Sequence, residues 1–266
     1  DLIRSADPLL VLGSELGPTD CDMYGDGGFP ATKAMIRVDV DPAQLARHPA
    51  AATVTGDVAE VMPQLTRDAP AADGAARAAR TRDAARAALP MGYGVEVAVL
   101  ERLRDSIPRA IMVGDSTQVV YAGNLWYDHD RPGGWFNAAT GFGALGYATG
   151  AAVGAALAAP DARVICLIGD GGLMFAPGEV LTAVEEDLDI TFIVFNNHGF
   201  GEIASAMRDA GTEVLGCTPR PPELEAFARA CGLPFCRTTP DAVNASGPGP
   251  RMIEVVLPPV QAASDA

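Results

Sequence analysis

Two short polar motifs, each placed just after an apolar run, are the part of this sequence best suited to chemistry. The motif "GDGG" (169–172) follows the run "ARVICLI", and the motif "NNHG" (196–199) follows the run "ITFIVF". If both runs are strands of one parallel sheet, Asp170 and Asn197 lie at the strand ends where open α/β sheets bind ligands. Their oxygens, together with carbonyl and phosphate oxygens, suit Mg²⁺. The spacing therefore indicates a Mg²⁺-bridged diphosphate.

The glycines of the first motif support the same interpretation. Gly171 and Gly172 allow a close approach of the backbone to a ligand, and their N–H groups lie near a predicted helix start, which suits phosphate. Taken singly, Gly-Asp-Gly and Asn-Asn are common turns. Their combination favours the metal site, because both follow apolar strands and a helix is predicted between them.

The chain beyond the predicted domain start at Leu89 alternates between strand and helix patterns. Strands are predicted for residues 110–115, 162–170, 190–197 and 250–258, and helices for 95–108, 141–160 with a leading loop, 178–188 and 221–232. Near-continuous Val, Ile and Leu runs are typical of parallel strands buried on both faces. We therefore predict a doubly wound parallel α/β domain over residues 89–266.

The preceding residues form a smaller α/β unit and a linker. Strands are predicted for residues 8–16, 34–42 and 52–57, with helical patterns after the second and the third, so 1–66 is predicted to be part of an α/β domain. The Ala/Arg-rich segment 67–88 contains almost nothing that could fill a core and is predicted to be a linker in the form of a solvated helix.

Composition limits the classes of partner and location. The formal net charge of −15 argues against nucleic acid and anionic membranes as partners. No apolar run is long enough to span a membrane, no signal-peptide pattern begins the sequence, and the five cysteines form no CxxC pair. We therefore expect a cytoplasmic protein with reduced thiols. A dinucleotide enzyme is disfavoured because no GxGxxG motif opens a helix.

The paired motifs resemble the signature of thiamine diphosphate (ThDP) enzymes of the 2-oxo acid decarboxylase and acetolactate synthase group. Residues 89–258 resemble the diphosphate-binding (PP) domain of that group, and residues 1–66, with "RVDVDP" and "VTGDVAEVMPQL", resemble the latter part of its central domain. The resemblance implies that Asp170 and Asn197 ligate Mg²⁺ through side chains and Gly199 through its main-chain carbonyl. It also places the diphosphate against the following residues: Ser116, Thr117, Gln118, Gly171 and Gly172.

The stretch "TGFGALG" (140–146) matches a second cofactor loop of the group. The resemblance implies that the carbonyl of Gly143 contacts the aminopyrimidine and that Leu145 forces the cofactor into its bent conformation, which makes proton removal intramolecular. It also places Phe175 above the thiazolium ring. Core packing is the alternative role for both Leu145 and Phe175.

The resemblance also implies a missing part. In this group the glutamate that activates the cofactor belongs to a pyrimidine-binding (PYR) domain, contributed across a dimer interface, and nothing in these residues resembles that domain. Glu96 and Glu101 do not fit its role. We therefore expect the chain to be an inactive fragment that needs a PYR domain from a full-length or split partner chain, in a homodimer or homotetramer.

Several motifs favour one branch of the group. The segments "GDSTQVVY", "NNHGFGEI" and "GCTPRPPELEAFARACG" most resemble 5-guanidino-2-oxopentanoate decarboxylases, so a 2-oxo acid is the expected substrate. An acetolactate synthase and a non-catalytic homologue are the alternatives. The carboxylates of Glu202, Asp209 and Glu213 are available to bind the guanidinium, or they lie on a solvated helix face. His198 is either an acid/base group or an exposed loop residue.

Overall fold

A computed structural model describes residues 2–18, 27–66, 73–88, 93–220 and 222–260. The chain divides into two compact units, Asp1–Ala87 and Ala88–Ala266. Residues 67–72 of the predicted linker, the predicted domain start at Leu89, Pro221 and Cys21 lie outside the described residues. The identity of residues 1–66 as part of a central domain, and the proposed boundaries, stay predictions.

The first unit is built on a parallel sheet with strand order β1-β2-β3. Its elements are α1 (Leu2–Ser5), β1 (Leu9–Leu12), β2 (Met35–Asp39), α2 (Pro42–Leu45), β3 (Ala52–Thr55), α3 (Val58–Thr66) and α4 (Gly74–Ala87). Asp41 follows β2 and caps α2, because its carboxylate accepts a hydrogen bond from the N–H of Ala43 at 2.8 Å. Helix α4, within the segment predicted to be a solvated helix, has no buried residue.

The second unit contains a parallel sheet with strand order β5-β4-β6-β7-β9-β8. Its strands are β4 (Ile111–Gly114), β5 (Trp135–Asn137), β6 (Val164–Gly169), β7 (Ile190–Asn196), β8 (Phe235–Thr238) and β9 (Arg251–Val256). Its helices are α5 (Gly94–Ser106), α6 (Gln118–Trp126), α7 (Tyr147–Ala158), α8 (Asp170–Leu173), α9 (Glu179–Glu185), α10 (Gly201–Asp209) and α11 (Leu224–Ala230).

Both faces of this sheet are covered by helices. In β6, Cys166 and Ile168 pack with residues of α7, α9 and α11, whereas Ile165 and Leu167 pack with residues of α5 and α6. Successive side chains of a strand point to opposite faces, so helices must cover both sides of the sheet. The predicted doubly wound α/β fold is therefore confirmed.

No helix in the described part of the chain is both long and apolar enough to cross a membrane. Within the same residues, Cys166, Cys217, Cys231 and Cys236 are free, as expected of reduced thiols. Cys166 is completely buried in the sheet, where it packs as a small core residue.

Candidate cofactor and metal site

The two polar motifs lie at the same edge of the sheet. Strands β6 and β7 are parallel neighbours whose register pairs Gly169 with Phe195, and Asp170 and Asn197 follow these strands directly. The sheet thus brings together the two residues that the sequence pattern selected. It does so because both strands are buried along their length and run in the same direction.

The carboxylate of Asp170 is buried without a partner. Asp170 is 1% exposed, and neither of its carboxylate oxygens accepts a hydrogen bond. Burial raises the pKa of Asp170 above its ordinary value. The backbone N–H groups of Gly171 and Asn197 lie near the carboxylate and offset this rise in part, although neither forms a hydrogen bond of ordinary geometry with it. A buried carboxylate in this state is suited to binding a cation.

A cavity of about 220 Å³ lies at this edge of the sheet. The cavity is lined by all the predicted site residues except one, namely Ser116, Thr117, Gln118, Gly143, Leu145, Asp170, Gly171, Gly172, Asn197 and Gly199. The exception is Phe175, whose side chain is 62% exposed and stands edge-on to the ring of Phe200. The roles assigned to these residues stay predictions, but most of them share one cavity.

Packing within the protein explains why two positions of the site are occupied by glycine. A Cβ atom at Gly171 would lie 2.5 Å from the ring of Phe200, and one at Gly199 would collide with the carbonyl oxygen of Cys217. A side chain at Gly199 would displace the loop that carries Asn197, and one at Gly171 would have to move the Phe200 ring. The requirement for glycine at these positions therefore comes from the protein's own packing, whether or not a ligand is bound.

Asp115 supports the loops around the cavity without lining it, and the sequence pattern did not select it. It is completely buried just past β4, and its carboxylate accepts hydrogen bonds from the N–H of Ser116 at 2.7 Å and of Gly146 at 2.8 Å. Burial raises the pKa of Asp115, and these hydrogen bonds oppose the rise. The available signal was a Gly-Asp pair just past a strand, the same pattern that selected Asp170.

The three carboxylates considered as ligands of a substrate guanidinium lie in different environments. Glu202, in the first turn of α10, is half-buried and lines the cavity, whereas Asp209 and Glu213 are exposed and do not line it. Glu96 also lines the cavity. The sequence excludes it only as the glutamate that activates the cofactor. His198 is exposed and has a positive φ of 58°, consistent with a loop residue.

The oxygen ligands predicted for Mg²⁺ fit the structure. No group of three or more His, Cys, Asp or Glu residues suited to a metal occurs among the described residues. The predicted site does not need such a group, because it uses one carboxylate, one amide oxygen and one main-chain carbonyl, with phosphate oxygens completing the shell. The unpartnered oxygens of Asp170 are the observation that fits this donor set.

Comparison with known proteins identifies the family. Residues 112–246, half of the chain, match the family model "Thiamine pyrophosphate enzyme, C-terminal TPP binding domain". The chain therefore belongs to the thiamine pyrophosphate enzymes, as the resemblance of its motifs implied. Thiamine pyrophosphate is another name for ThDP.

Individual relatives point to decarboxylases and acetolactate synthases. The chain is 34% identical over 242 residues to the probable 2-ketoarginine decarboxylase AruI of Pseudomonas aeruginosa, covering 87% of this chain and 42% of that protein. It is 29% identical to the acetolactate synthase isozyme 1 large subunit of Escherichia coli, covering 97% of this chain and 46% of the relative. The chain thus spans less than half the length of both.

A solved structure supports the fold. The thiamine diphosphate-dependent 4-hydroxybenzoylformate decarboxylase of Rhodococcus jostii superposes with a TM-score of 0.72 at 24% sequence identity. The match covers 97% of this chain and 50% of that one. At this identity the likeness establishes the α/β architecture and leaves the substrate open.

Proposed function

We propose that this chain supplies the cofactor- and metal-binding part of a ThDP- and Mg²⁺-dependent enzyme that decarboxylates a 2-oxo acid without oxidation. The observation that carries the proposal is the unpartnered, 1% exposed carboxylate of Asp170 at the edge of the sheet where Asn197 also lies. Membership of the thiamine pyrophosphate enzymes supports it.

The proposed assignment of residues follows the cavity. Asp170 and Asn197 would hold Mg²⁺ through side-chain oxygens, and Gly199 would add its main-chain carbonyl. The diphosphate would lie against Gly171, Gly172 and the loop of Ser116, Thr117 and Gln118. Gly143 and Leu145 would hold and bend the aminopyrimidine part, with Phe175 above the thiazolium. When bound, the cofactor supplies an electron sink for the loss of CO₂.

The activating glutamate is proposed to come from a PYR domain outside these residues. We infer that this domain belongs to a partner chain or to the remainder of a longer chain, within a cytoplasmic homodimer or homotetramer. On this proposal the 266 residues alone release no CO₂ from 2-oxo acids, even with excess ThDP and Mg²⁺. Turnover by the isolated chain would show that a sufficient set of catalytic groups lies within it.

The proposed substrate is 5-guanidino-2-oxopentanoate, with CO₂ and an aldehyde as products. The 34% identity to the probable 2-ketoarginine decarboxylase supports this choice. An acetolactate synthase is the second candidate, because the match to the Escherichia coli synthase covers 97% of the chain. The two reactions differ in whether a proton or a second 2-oxo acid is added after CO₂ is lost.

Steady-state kinetics of the complete enzyme would separate these candidates. We expect a higher kcat/KM for 5-guanidino-2-oxopentanoate than for pyruvate, with an aldehyde as product. Preference for pyruvate, with acetolactate as product, would replace the decarboxylase by the synthase. ThDP binding without any turnover of either acid by the complete protein would favour a non-catalytic homologue.

A further inference from the structure

Two carboxylates in the candidate cavity have no role in holding Mg²⁺ or diphosphate. Glu96 lies in the first turn of α5 and Glu202 in the first turn of α10, and both line the cavity that also contains Asp170. The Oε2 atom of Glu96 is fully buried and has no hydrogen-bond partner. Glu96 therefore brings to the wall of the cavity a carboxylate with one oxygen that lacks a hydrogen-bond donor.

Glu96 and Glu202 lie close enough to act on each other. Burial is the main cause that raises the pKa of Glu96, and the negative charge of Glu202 raises it further. The pKa of Tyr93 is raised by burial and then by the charges of Glu202 and Glu96. Glu96 and Glu202 thus form one negatively charged region of the cavity wall, and Tyr93 lies within reach of their charges.

Nothing basic lines this cavity in the part of the chain that the structure describes. Its lining there contains no Lys, Arg or His residue, so the two glutamates face no protein cation across it. Two like charges that share a partly buried site disfavour each other's ionised form unless a cation lies between them. A ligand with a positive group would supply that cation.

The surfaces beside the glutamates are apolar. Val95 and Val99 of α5 line the cavity next to Glu96, and Leu257 lines it from the end of β9. Apolar side chains suit a methylene chain, whereas the carboxylates suit a charged group at its end. A planar guanidinium has five N–H donors, enough to serve two carboxylates at once.

We infer that Glu96 and Glu202 bind a guanidinium at the end of the substrate and thereby set the enzyme's specificity. The inference rests on the proposed function and assigns residues to the recognition of its substrate. A 2-oxo acid without a positive group would leave both glutamate carboxylates unpaired in the cavity, which penalises its binding. Asp209 and Glu213 take no part, because they are exposed and lie outside the cavity.

The test compares two substrates in the complete enzyme. We expect Glu96→Gln and Glu202→Gln each to lower kcat/KM for 5-guanidino-2-oxopentanoate by roughly 10- to 100-fold, the range for a charge-assisted hydrogen bond. For 2-oxooctanoate, a 2-oxo acid of similar length whose side chain is uncharged, kcat/KM should stay equal or rise. The controls Asp209→Asn and Glu213→Gln should change neither value by more than about 2-fold, as is usual for exposed positions.

A binding measurement separates this inference from the proposed function. Calorimetric titration should show that both Gln variants bind ThDP with Mg²⁺ as tightly as the parent enzyme. Weaker ThDP binding by the variants would show that the glutamates serve the cofactor's cationic ring, and it would overturn the inference. So would an equal loss of kcat/KM for both acids, or a parent enzyme that prefers 2-oxooctanoate. Failure of the parent itself to bind ThDP would instead overturn the proposed function.

Discussion

The carboxylate of Asp115 accepts a hydrogen bond from the backbone N–H of Gly146 at 2.8 Å. This contact joins the end of β4 to the loop that carries Gly143 and Leu145, just before α7 begins at Tyr147. Gly146 has a positive φ of 82°, and a Cβ atom there would lie 2.7 Å from that of Phe175. Asp115 is therefore a positioning residue for the loop proposed to hold the aminopyrimidine.

Removing this acceptor should weaken cofactor binding. In Asp115→Ala the N–H groups of Ser116 and Gly146 lose their buried partner, which costs about 1–3 kcal/mol for an unsatisfied group. We expect ThDP affinity of the complete enzyme, measured by calorimetry, to fall by roughly 10-fold. Asp115→Asn keeps only one of the two acceptor oxygens, because the N–H of Ser116 and that of Gly146 bond to different oxygens, so its affinity should lie between those of the parent enzyme and the Ala variant. Equal affinities for the parent enzyme and the Ala variant would show that the contact does not position the loop.

Two helix glycines should respond to alanine in opposite ways. At Gly154 in α7 an added Cβ meets no atom within 4 Å, so alanine should raise the free energy of unfolding by about 0.5–1 kcal/mol. At Gly123 in α6 the Cβ would lie 2.5 Å from the Trp135 ring and 2.8 Å from Leu100. Alanine there should therefore lower the free energy of unfolding by about 1–3 kcal/mol. Denaturant unfolding of both variants measures the difference. A stabilised Gly123→Ala would contradict the packing of α6 against β5.

His129 should make stability depend on pH below neutrality. Its Nδ1 lies 2.9 Å from the hydroxyl of Tyr127 and its Nε2 3.0 Å from the carbonyl oxygen of Ala110. Burial lowers the pKa of His129 below its ordinary value of 6.5. The unfolded chain therefore binds more protons, so the stabilising contribution is complete above pH 6.5 and is lost as pH falls towards the folded-state pKa.

The measurement for His129 is the change in Tm between pH 7.5 and pH 5.5. We expect Tm to fall more steeply in the parent protein than in His129→Gln, which keeps a polar side chain and does not titrate. Because other groups titrate equally in both proteins, the difference in slope reports His129. Parallel slopes would show that the imidazole is not buried in its neutral form.

The sequence predicted the central strands and the meeting of Asp170 with Asn197 because long apolar runs have few alternatives to a buried parallel strand. It did not predict β5 or β8, which lie at the sheet edges and are only partly buried, so their apolar patterns are weak. Helices α6 and α10 were also not predicted. Their positions are determined by tertiary packing.

Some site residues were beyond prediction for a related reason. The role of Asp115 depends on a hydrogen bond to a residue 31 positions away. Glu96 and Glu202 are 106 positions apart in the chain, and only the folding of α5 and α10 around one cavity brings them together. Motif spacing describes neighbours along the chain and cannot report such distant pairs.

The most direct test of the account is Mg²⁺-dependent ThDP binding by the Asp170→Ala variant. In the complete enzyme, calorimetry should show tight ThDP binding that requires Mg²⁺, and this binding should be lost in Asp170→Ala. Because Asp170 is a buried carboxylate without a partner, its removal should leave the Tm of the cofactor-free protein equal or higher. Asp209→Asn, at an exposed position, serves as the control and should bind normally. Unchanged, Mg²⁺-dependent ThDP affinity in Asp170→Ala would contradict the proposed site.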